Sequence, residues 1–391
     1  CDMDKELIER AEIVSRGCLI QKEYYTYTKN FIEYFSPMNG HAQLYQRTWL
    51  NEDGSVAYEE IINEVDGRQE TQVYRFPNHV FYSKQEFVAH FIRSLSLTNK
   101  DLLILDRETD IGQAIFANKG DAKLVVIVHA DHFSENPAEK DYILWNNYYE
   151  YQFEYADEVD YIINSTDAQT NLLKEQFAQY TTIKPKEILT IPVGSLDQLR
   201  HPEGERKPFG LITASRLASE KHIDWLIHSV VKAHEQLPEI TFDIYGTGGE
   251  RAMLEQLIHE LNAEEYIRLM GHHHMADVYR NYSAYLSAST SEGFGLTLLE
   301  AVGSGLPIIG FDVRYGNPTF IRDGENGYLI PEARPDDLDA MTTEYAEKIV
   351  QLFTQHSQED LSRVSYEVAE PYLDEHIAQR WYDLVQSAQH Q

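Results

Sequence analysis

Glu292 and Glu300 stand with seven residues between them in the stretch SEGFGLTLLEAVGSGLPII, residues 291–309. Gly293, Phe294 and Gly295 follow the first carboxylate, and an apolar run that opens near Leu296 and Thr297 carries the second. Just upstream, residues 285–289 (YLSAS) alternate like a buried strand. The order is therefore strand, glycine turn, helix. Glycine lets a ligand come close to the main chain, and a helix start offers unpaired N–H groups and a partial positive charge to phosphate oxygens. Residues 293–297 are thus candidates to line a phosphate. Glu300, about a turn inside the helix, can accept ribose hydroxyls. Glu292, at the strand end, can face a sugar ring.

A second fragment, residues 209–221 (FGLITASRLASEK), reads as a strand followed by a loop that carries Arg216 and Lys221. A transferase that releases a nucleoside diphosphate must neutralise charge building on the leaving phosphates, and two cationic side chains can do this without a metal. Each piece alone is ordinary: a Glu pair at a helix start is usually solvated, and an Arg/Lys pair usually lies on the surface. Together, in this order, they resemble the retaining glycosyltransferases of family 4. These have the GT-B fold, two Rossmann-like doubly wound α/β domains facing a cleft, and are marked by this Arg-x4-Lys and this Glu-x7-Glu.

Composition narrows the partners. The chain has 391 residues, 42% hydrophobic and 25% charged, which suits two or three globular domains. A net charge of -31 argues against nucleic acid or a bare anionic membrane as partner. Two cysteines, Cys1 and Cys18, give neither a disulfide framework nor a zinc site, and fit a reducing compartment. No apolar run reaches membrane-spanning length.

The elements that must position the candidate residues follow in chain order. Residues 1–80 are expected to form an added antiparallel β domain for partner or acceptor binding. Three alternating runs, 42–49, 55–62 and 70–76, are joined by turns containing Asp-Gly, and 21–35 is left open between helical and extended. Residues 81–206 are expected to form the first Rossmann-like domain, on the acceptor side. It opens on a helix capped by Ser83 with Glu86 three residues on. Its strands 101–106 and 123–129 end in polar residues, and ligands of open parallel sheets bind at such carboxyl ends. His129, and more weakly Asp106 and Arg107, are therefore candidates to touch sugar or acceptor; a strand-end histidine bonded only to backbone is the competing reading. Residues 144–153 are expected as a helix and 195–207 as a polar linker. Residues 207–335 alternate strand and helix as the second Rossmann-like domain, which would bind the nucleotide sugar. Gly271-His272-His273-His274 in it reads as a loop near the nucleobase rather than a metal site, since three adjacent histidines converge poorly on one ion. Residues 312–321 read as a loop, in which Arg314 and Asn317 could meet acceptor or donor hydroxyls. Residues 336–391 are expected to be helices that cross back to the first domain.

Several segments carry a narrower resemblance: LYQRTWLNEDGSVAYEE (44–60), LLILDRETDIGQAIF (102–116), HADHFSENP (129–137), DYILWNNYYEYQF (141–153), LITASRLASEKHIDWL (211–226) and STSEGFGLTLLEAVGSGLPIIGFDVRYGN (289–317). They resemble the GtfA-type catalytic subunits that begin O-glycosylation of serine-rich repeat adhesins exported by the accessory Sec route. The resemblance implies UDP-N-acetylglucosamine or UDP-glucose as donor and Ser/Thr hydroxyls of the adhesin polypeptide as acceptor. It implies a non-catalytic GtfB-type partner bound through the β domain, no metal or other cofactor, and a cytoplasmic location with peripheral association at the inner face of the membrane through the complex. On this reading Arg216 and Lys221 hold the diphosphate, Glu300 the ribose, Glu292 the transferred sugar, and His129 faces the sugar from the other domain. His272 and residues 293–297 complete the donor site. The chain starts at Cys1 and shows no opening strand with a Gly-rich turn, so a native start of roughly a hundred residues, lining the phosphate side, is expected upstream. Two other readings stay open: a wall teichoic acid glycosyltransferase with the same donor chemistry, and a non-catalytic GT-B partner or chaperone.

Overall fold

The alternating runs near the start do form antiparallel strands, and among the described residues their sheet has seven strands rather than three. They are β1 (Arg10–Ser15), β2 (Cys18–Tyr25), β3 (Lys29–Met38), β4 (His41–Leu50), β5 (Val56–Val65), β6 (Arg68–Arg75) and β7 (Val80–Phe81), each paired with the next. Every pair from β1/β2 to β5/β6 carries a register shift, at Ile13/Val14, Tyr24/Tyr25, Tyr34/Phe35, Trp49/Leu50 and Ile61/Ile62. Each such irregularity exchanges the two faces of the strand and breaks the alternation. The computed structural model describes residues 8–38, 40–65, 68–107, 110–134, 142–331 and 337–390, in two compact units, 1–123 and 124–391.

In the first unit, Tyr24, Phe31, Trp49, Tyr58 and Phe76 stack across successive strands, with ring centroids 4.3, 4.6, 5.8 and 4.7 Å apart. Helix α1 (Lys84–Ser94) lays Phe87 against Tyr58, Tyr74 and Phe76. Its start is the expected cap: Ser83 Oγ accepts the Glu86 N–H at 3.1 Å, and the Glu86 carboxylate accepts the Tyr82 N–H at 2.8 Å. Strand β8 (Leu102–Leu105) and the short α2 (Gly112–Phe116) follow.

The second unit opens on β9 (Lys123–Val128). The short pair β10 (Phe133–Ser134) and β11 (Leu144–Trp145), then α3 (Glu150–Glu154), β12 (Tyr161–Asn164), α4 (Asp167–Tyr180) and β13 (Glu187–Thr190) come next. Strand β12 lies parallel between β9 and β13. Residues 144–153 are not the single helix expected. Asn146 turns the chain there: its Nδ2 donates to the Asp131 carbonyl and its Oδ1 accepts the Tyr148 N–H.

A six-stranded parallel sheet completes the unit. Its elements are β14 (Gly210–Ala214), α5 (Ile223–His234), β15 (Thr241–Tyr245), α6 (Arg251–Glu260), β16 (Ile267–Gly271), β17 (Ala284–Leu286), α7 (Leu296–Gly303), β18 (Ile308–Phe311), α8 (Gly316–Phe320) and β19 (Gly327–Ile330). The strand order is β16-β15-β14-β17-β18-β19. The strands are near-continuous apolar runs because helices cover both faces, and Leu211, Ile212, Phe242, Ile244, Leu286, Ile308 and Ile309 are wholly buried. The chain winds outward from β14 to β16 and returns to β17 on the other side of β14. The crevice between the ends of β14 and β17 is therefore the switch point at which α/β sheets bind ligands. Helices α9 (Leu338–Gln355), α10 (Gln358–Ala369) and α11 (Asp374–His390) close the chain.

The 195–207 stretch is polar in composition but docked rather than loose. Leu196 is buried and exchanges main-chain bonds with Tyr372 and Asp374, and the Arg200 N–H donates to Gly303 O at 2.8 Å. Arg206 donates to the carbonyls of Tyr282 and Ser304. Among the described residues, no helix is long and apolar enough to cross a membrane.

Candidate functional site

Both loops of the switch point carry the residues singled out by spacing. Past β14 come Arg216 and Lys221; past β17 come Ser289 and Glu292. Lys221 Nζ donates to Glu292 Oε2 at 2.8 Å and to Ser289 Oγ at 3.2 Å, with about a fifth of each charged side chain exposed. They close a narrow crevice that Thr213, Ser215, Tyr285 and Thr297 also line. Ser215 and Thr297 form its common wall with a cavity of about 570 Å³, which holds Arg216, His272 and Glu300 together with Thr247 and Tyr279. This is room for a nucleotide.

Helix α7 forms one side of this space because of Gly295. That residue caps the helix at φ +87°, and a Cβ there would lie 2.6 Å from the Leu298 side chain. Only glycine takes that conformation freely. The first-turn N–H groups of Leu296 and Thr297 have no carbonyl partner within the helix, as at any helix start. Thr297 and Glu300 share the inner face of α7, one turn apart. Tyr285 donates to Thr297 Oγ1 at 3.0 Å, and the buried Tyr279 donates to Glu300 Oε2 at 3.0 Å. Partial burial of the Glu300 carboxyl raises its pKa, while the Tyr279 hydroxyl, Arg200 and His274 pull the other way.

Main-chain bonds fix Glu292 further. Its N–H donates to Arg314 O at 3.2 Å, and its own carbonyl accepts the N–H groups of Tyr315 and Gly316, both at 2.7 Å. His129 follows β9, and its N–H donates to the Tyr149 hydroxyl at 3.0 Å. The His129 carbonyl lies 2.7 Å from where a Gly293 Cβ would stand. Gly293 is thus a close-approach glycine that brings the β9 end against the Glu292 loop. Beside it, Ser291 Oγ donates to Asp131 at 3.1 Å, and the Arg314 guanidinium lies 5.2 Å over the Phe133 ring, in a polar cavity of about 330 Å³.

The structure thus gathers Arg216, Lys221, His272, Thr297, Glu292 and Glu300 about one crevice and its adjoining cavity, and packs the His129 carbonyl against Gly293, next to Glu292. Two expectations change. Phe294 is core rather than donor-facing: it is 4% exposed and packs edge-on against Phe320. Asn317 is wholly buried inside α8 and spends its Nδ2 on the Phe311 carbonyl at 2.7 Å, so it meets no acceptor or donor hydroxyl. The Leu296 side chain is half exposed and lies toward Gly194, which leaves the expected role of its main-chain N–H at the helix start untouched. Asp106 and Arg107 are exposed just past β8, in the first unit, whereas the large cavity is lined by residues 195–304. Reading by motif missed Tyr279 and the connector residues Ser195, Asp197 and Arg200, which also face the cavity, and Tyr285, which lines the narrow crevice. No local pattern marks them. Among the described residues, no three His, Cys, Asp or Glu side chains are grouped as a metal site.

Comparison with known proteins agrees with this geometry. The family model described as the GtfA extended beta-sheet domain matches residues 1–78, and that of the glycosyl transferases group 1 matches residues 197–352. The chain is 53% identical over 389 residues to the GtfA subunit of a UDP-N-acetylglucosamine–peptide N-acetylglucosaminyltransferase from Streptococcus pneumoniae, covering 100% of this chain and 76% of that protein. It superposes with a TM-score of 0.91 at 52% identity on the pneumococcal O-GlcNAc transferase GtfA in complex with UDP and GlcNAc, over 98% of this chain and 75% of that one. With a solved GtfA/B complex the TM-score is 0.84 at 53% identity, over the same shares.

Proposed function

Because this chain belongs to the family of GtfA subunits of the UDP-N-acetylglucosamine–peptide N-acetylglucosaminyltransferases, we propose that it moves N-acetylglucosamine from UDP-N-acetylglucosamine to Ser/Thr hydroxyls of a serine-rich repeat adhesin. It works as the catalytic member of a pair with a GtfB-type subunit. The observation that carries this reading is the Lys221–Glu292 pair set beside Arg216, Thr297 and Glu300 at the switch point of the parallel sheet.

The roles follow from placement. Glu300 accepts the ribose hydroxyls, and the 272–275 wall flanks the nucleobase. Arg216, Lys221 and the first N–H groups of α7 surround the diphosphate. When donor enters, Lys221 exchanges part of its contact with Glu292 for a phosphate oxygen, which leaves Glu292 to accept hydroxyls of the transferred sugar. His129 bounds the sugar from the β9 side. The bond from sugar C1 to the β-phosphate oxygen breaks, and its electron pair stays on that oxygen. The acceptor hydroxyl attacks C1 from the same face and passes its proton to the departing phosphate, so that UDP leaves and the anomeric configuration is retained. The side-chain cations and helix start meet the charge developed in this step, so no metal is required. Arg314 and Asp131 flank the acceptor side. Peripheral membrane association comes through the complex.

Transfer from a panel of UDP-sugars to a Ser-rich repeat polypeptide, with and without a GtfB-type subunit, read by intact mass, tests this. The expected result is one N-acetylhexosamine per modified site, absent in Lys221→Ala. Hexose in its place would correct the donor, and transfer to a teichoic polymer alone would correct the acceptor. UDP binding with no transfer to either would remove the catalytic role.

A further inference from the structure

Glu300 is a long side chain on an accessible helix face, and an unrestrained glutamate must lose rotamer freedom whenever it engages a ligand. Here that freedom is already removed. Tyr279 is 1% exposed, sits in a short 3₁₀ turn just past the 272–275 wall, and commits its hydroxyl to Glu300 Oε2 at 3.0 Å. Its ring lies 6.1 Å from that of Tyr285, which holds Thr297 one turn earlier on the same helix. A carboxylate has about four lone-pair positions. Tyr279 engages only Oε2, and Glu300 lines the cavity, so acceptor capacity remains for a ligand there. The far end of α7 is fixed by the connector, where the Arg200 N–H bonds Gly303 O and the Arg200 guanidinium, steadied by Asp197 at 2.8 Å, faces the same cavity.

We propose that Tyr279 and Arg200 are positioning residues for Glu300: Tyr279 aims its carboxylate at the ribose hydroxyls, and Arg200, from the segment that joins the two α/β halves, sets a fixed positive charge on the same cavity wall. The proposal rests on the reading that Glu300 binds the ribose. The groups facing Glu300 are Tyr279, Arg200 and His274, and all three favour its ionised form against the burial that opposes it. Protonated Glu300 accepts fewer hydroxyls, so donor affinity falls as the pH drops through its raised pKa. Loss of Tyr279 or Arg200 moves that fall to higher pH.

The test is calorimetric binding of UDP, 2′-deoxy-UDP and 3′-deoxy-UDP to the full chain across pH. The wild type is expected to prefer UDP over the deoxy analogues by roughly tenfold or more, the size of a hydrogen bond to a charged group. In Tyr279→Phe the preference is expected to fall to about threefold, and the pH midpoint of UDP binding to rise. Arg200→Gln is expected to move the midpoint in the same direction. A Tyr279→Phe protein that keeps the wild-type preference to within about twofold overturns the proposal, whatever its melting temperature. Should that variant not fold, an unmoved midpoint in Arg200→Gln overturns it. Glu300→Ala separates the two layers: if it retains the wild-type preference, the ribose reading itself fails.

Discussion

Carboxylates, a cation and aromatic side chains meet in the β sheet and again at the switch point of the parallel sheet, and of these two clusters the second opens on a cavity. In the β sheet, Arg47 lies between Glu33 and Glu60, at 2.7 and 3.0 Å. Glu33 also accepts Tyr24, and Glu60 also accepts Trp49 and Thr71. Both carboxylates are over nine-tenths buried and every oxygen has a partner. At the switch point of the parallel sheet, Lys221 and Glu292 are paired too, but they close a crevice that shares a wall with a cavity, and Glu300 lines that cavity with a single side-chain bond, from Tyr279 to one of its oxygens. The residue types do not separate structure from site. Saturation does: a cluster whose bonding capacity is filled internally has nothing left for a ligand.

Removing the central cation tests this most sharply. Arg47→Met leaves two buried carboxylates facing each other and is expected to cost about 3 kcal/mol of stability, toward the low end for a broken buried pair because a quarter of the guanidinium side chain is exposed. Chemical denaturation measures the loss, and UDP affinity should not change. Lys221→Ala is expected to do the converse. Its kcat should fall by about a hundredfold through loss of phosphate-side charge, while stability changes by less than about 1 kcal/mol because Glu292 keeps access to water. Steady-state kinetics and thermal melts on the same preparation check both halves. A Lys221→Ala enzyme that turned over normally but melted early would put this pair in the same class as Arg47.

His132 supplies an intermediate case, a group that could carry charge but is held neutral. It is wholly buried behind the Glu292 loop, 2.6 Å from Gln176 Oε1 and 3.3 Å from Gln169 Nε2, and burial pushes its pKa down to about 4. Unfolded histidine titrates near 6.5. As the pH falls below that value the unfolded chain takes up a proton that the folded one refuses, so stability declines. The loss is expected to reach about 2 kcal/mol at pH 5 and to continue until about pH 4. His132→Gln, which keeps a donor and an acceptor, should flatten the dependence of urea midpoints on pH over that window.

What could be read without coordinates was whatever is local in the chain. Residues 291–309 announce themselves because a strand end, two glycines and a helix start all act within one turn of each other. The error at Phe294 lies inside that stretch, since adjacency to Gly293 and Gly295 says nothing of which way a ring points. Asn317 misled in the opposite sense: a polar residue in an apparent loop looks ligand-directed, but the Phe311 carbonyl needed a donor. Tyr279 and Arg200 were illegible because their only relation to Glu300 is spatial. Strands β1 to β3 went unread where β4, β5 and β6 did not, because the aromatic spacing across 24–35 suits a helix as well as a strand and no Asp-Gly turn brackets it.

The smallest expected effect concerns Arg216, which stands between the two regimes. Its Nη2 bonds Glu220 at 2.9 Å, four residues on, but 78% of its side chain is exposed. Such a pair is worth roughly 0.3–0.5 kcal/mol. Entering diphosphate therefore competes with almost nothing, in contrast to Arg47, which no ligand could draw away from two buried carboxylates. Glu220→Gln should relieve that weak competition and remove a nearby like charge, tightening UDP binding by about twofold with no change in kcat. The gain should fade as salt is raised, because exposed charges are screened over about 10 Å at 0.1 M. Calorimetry at two ionic strengths distinguishes the cases. A tenfold gain, or one insensitive to salt, would mean that Glu220 holds Arg216 as firmly as Glu33 holds Arg47, and the line drawn here between a saturated cluster and an available one would not pass between them.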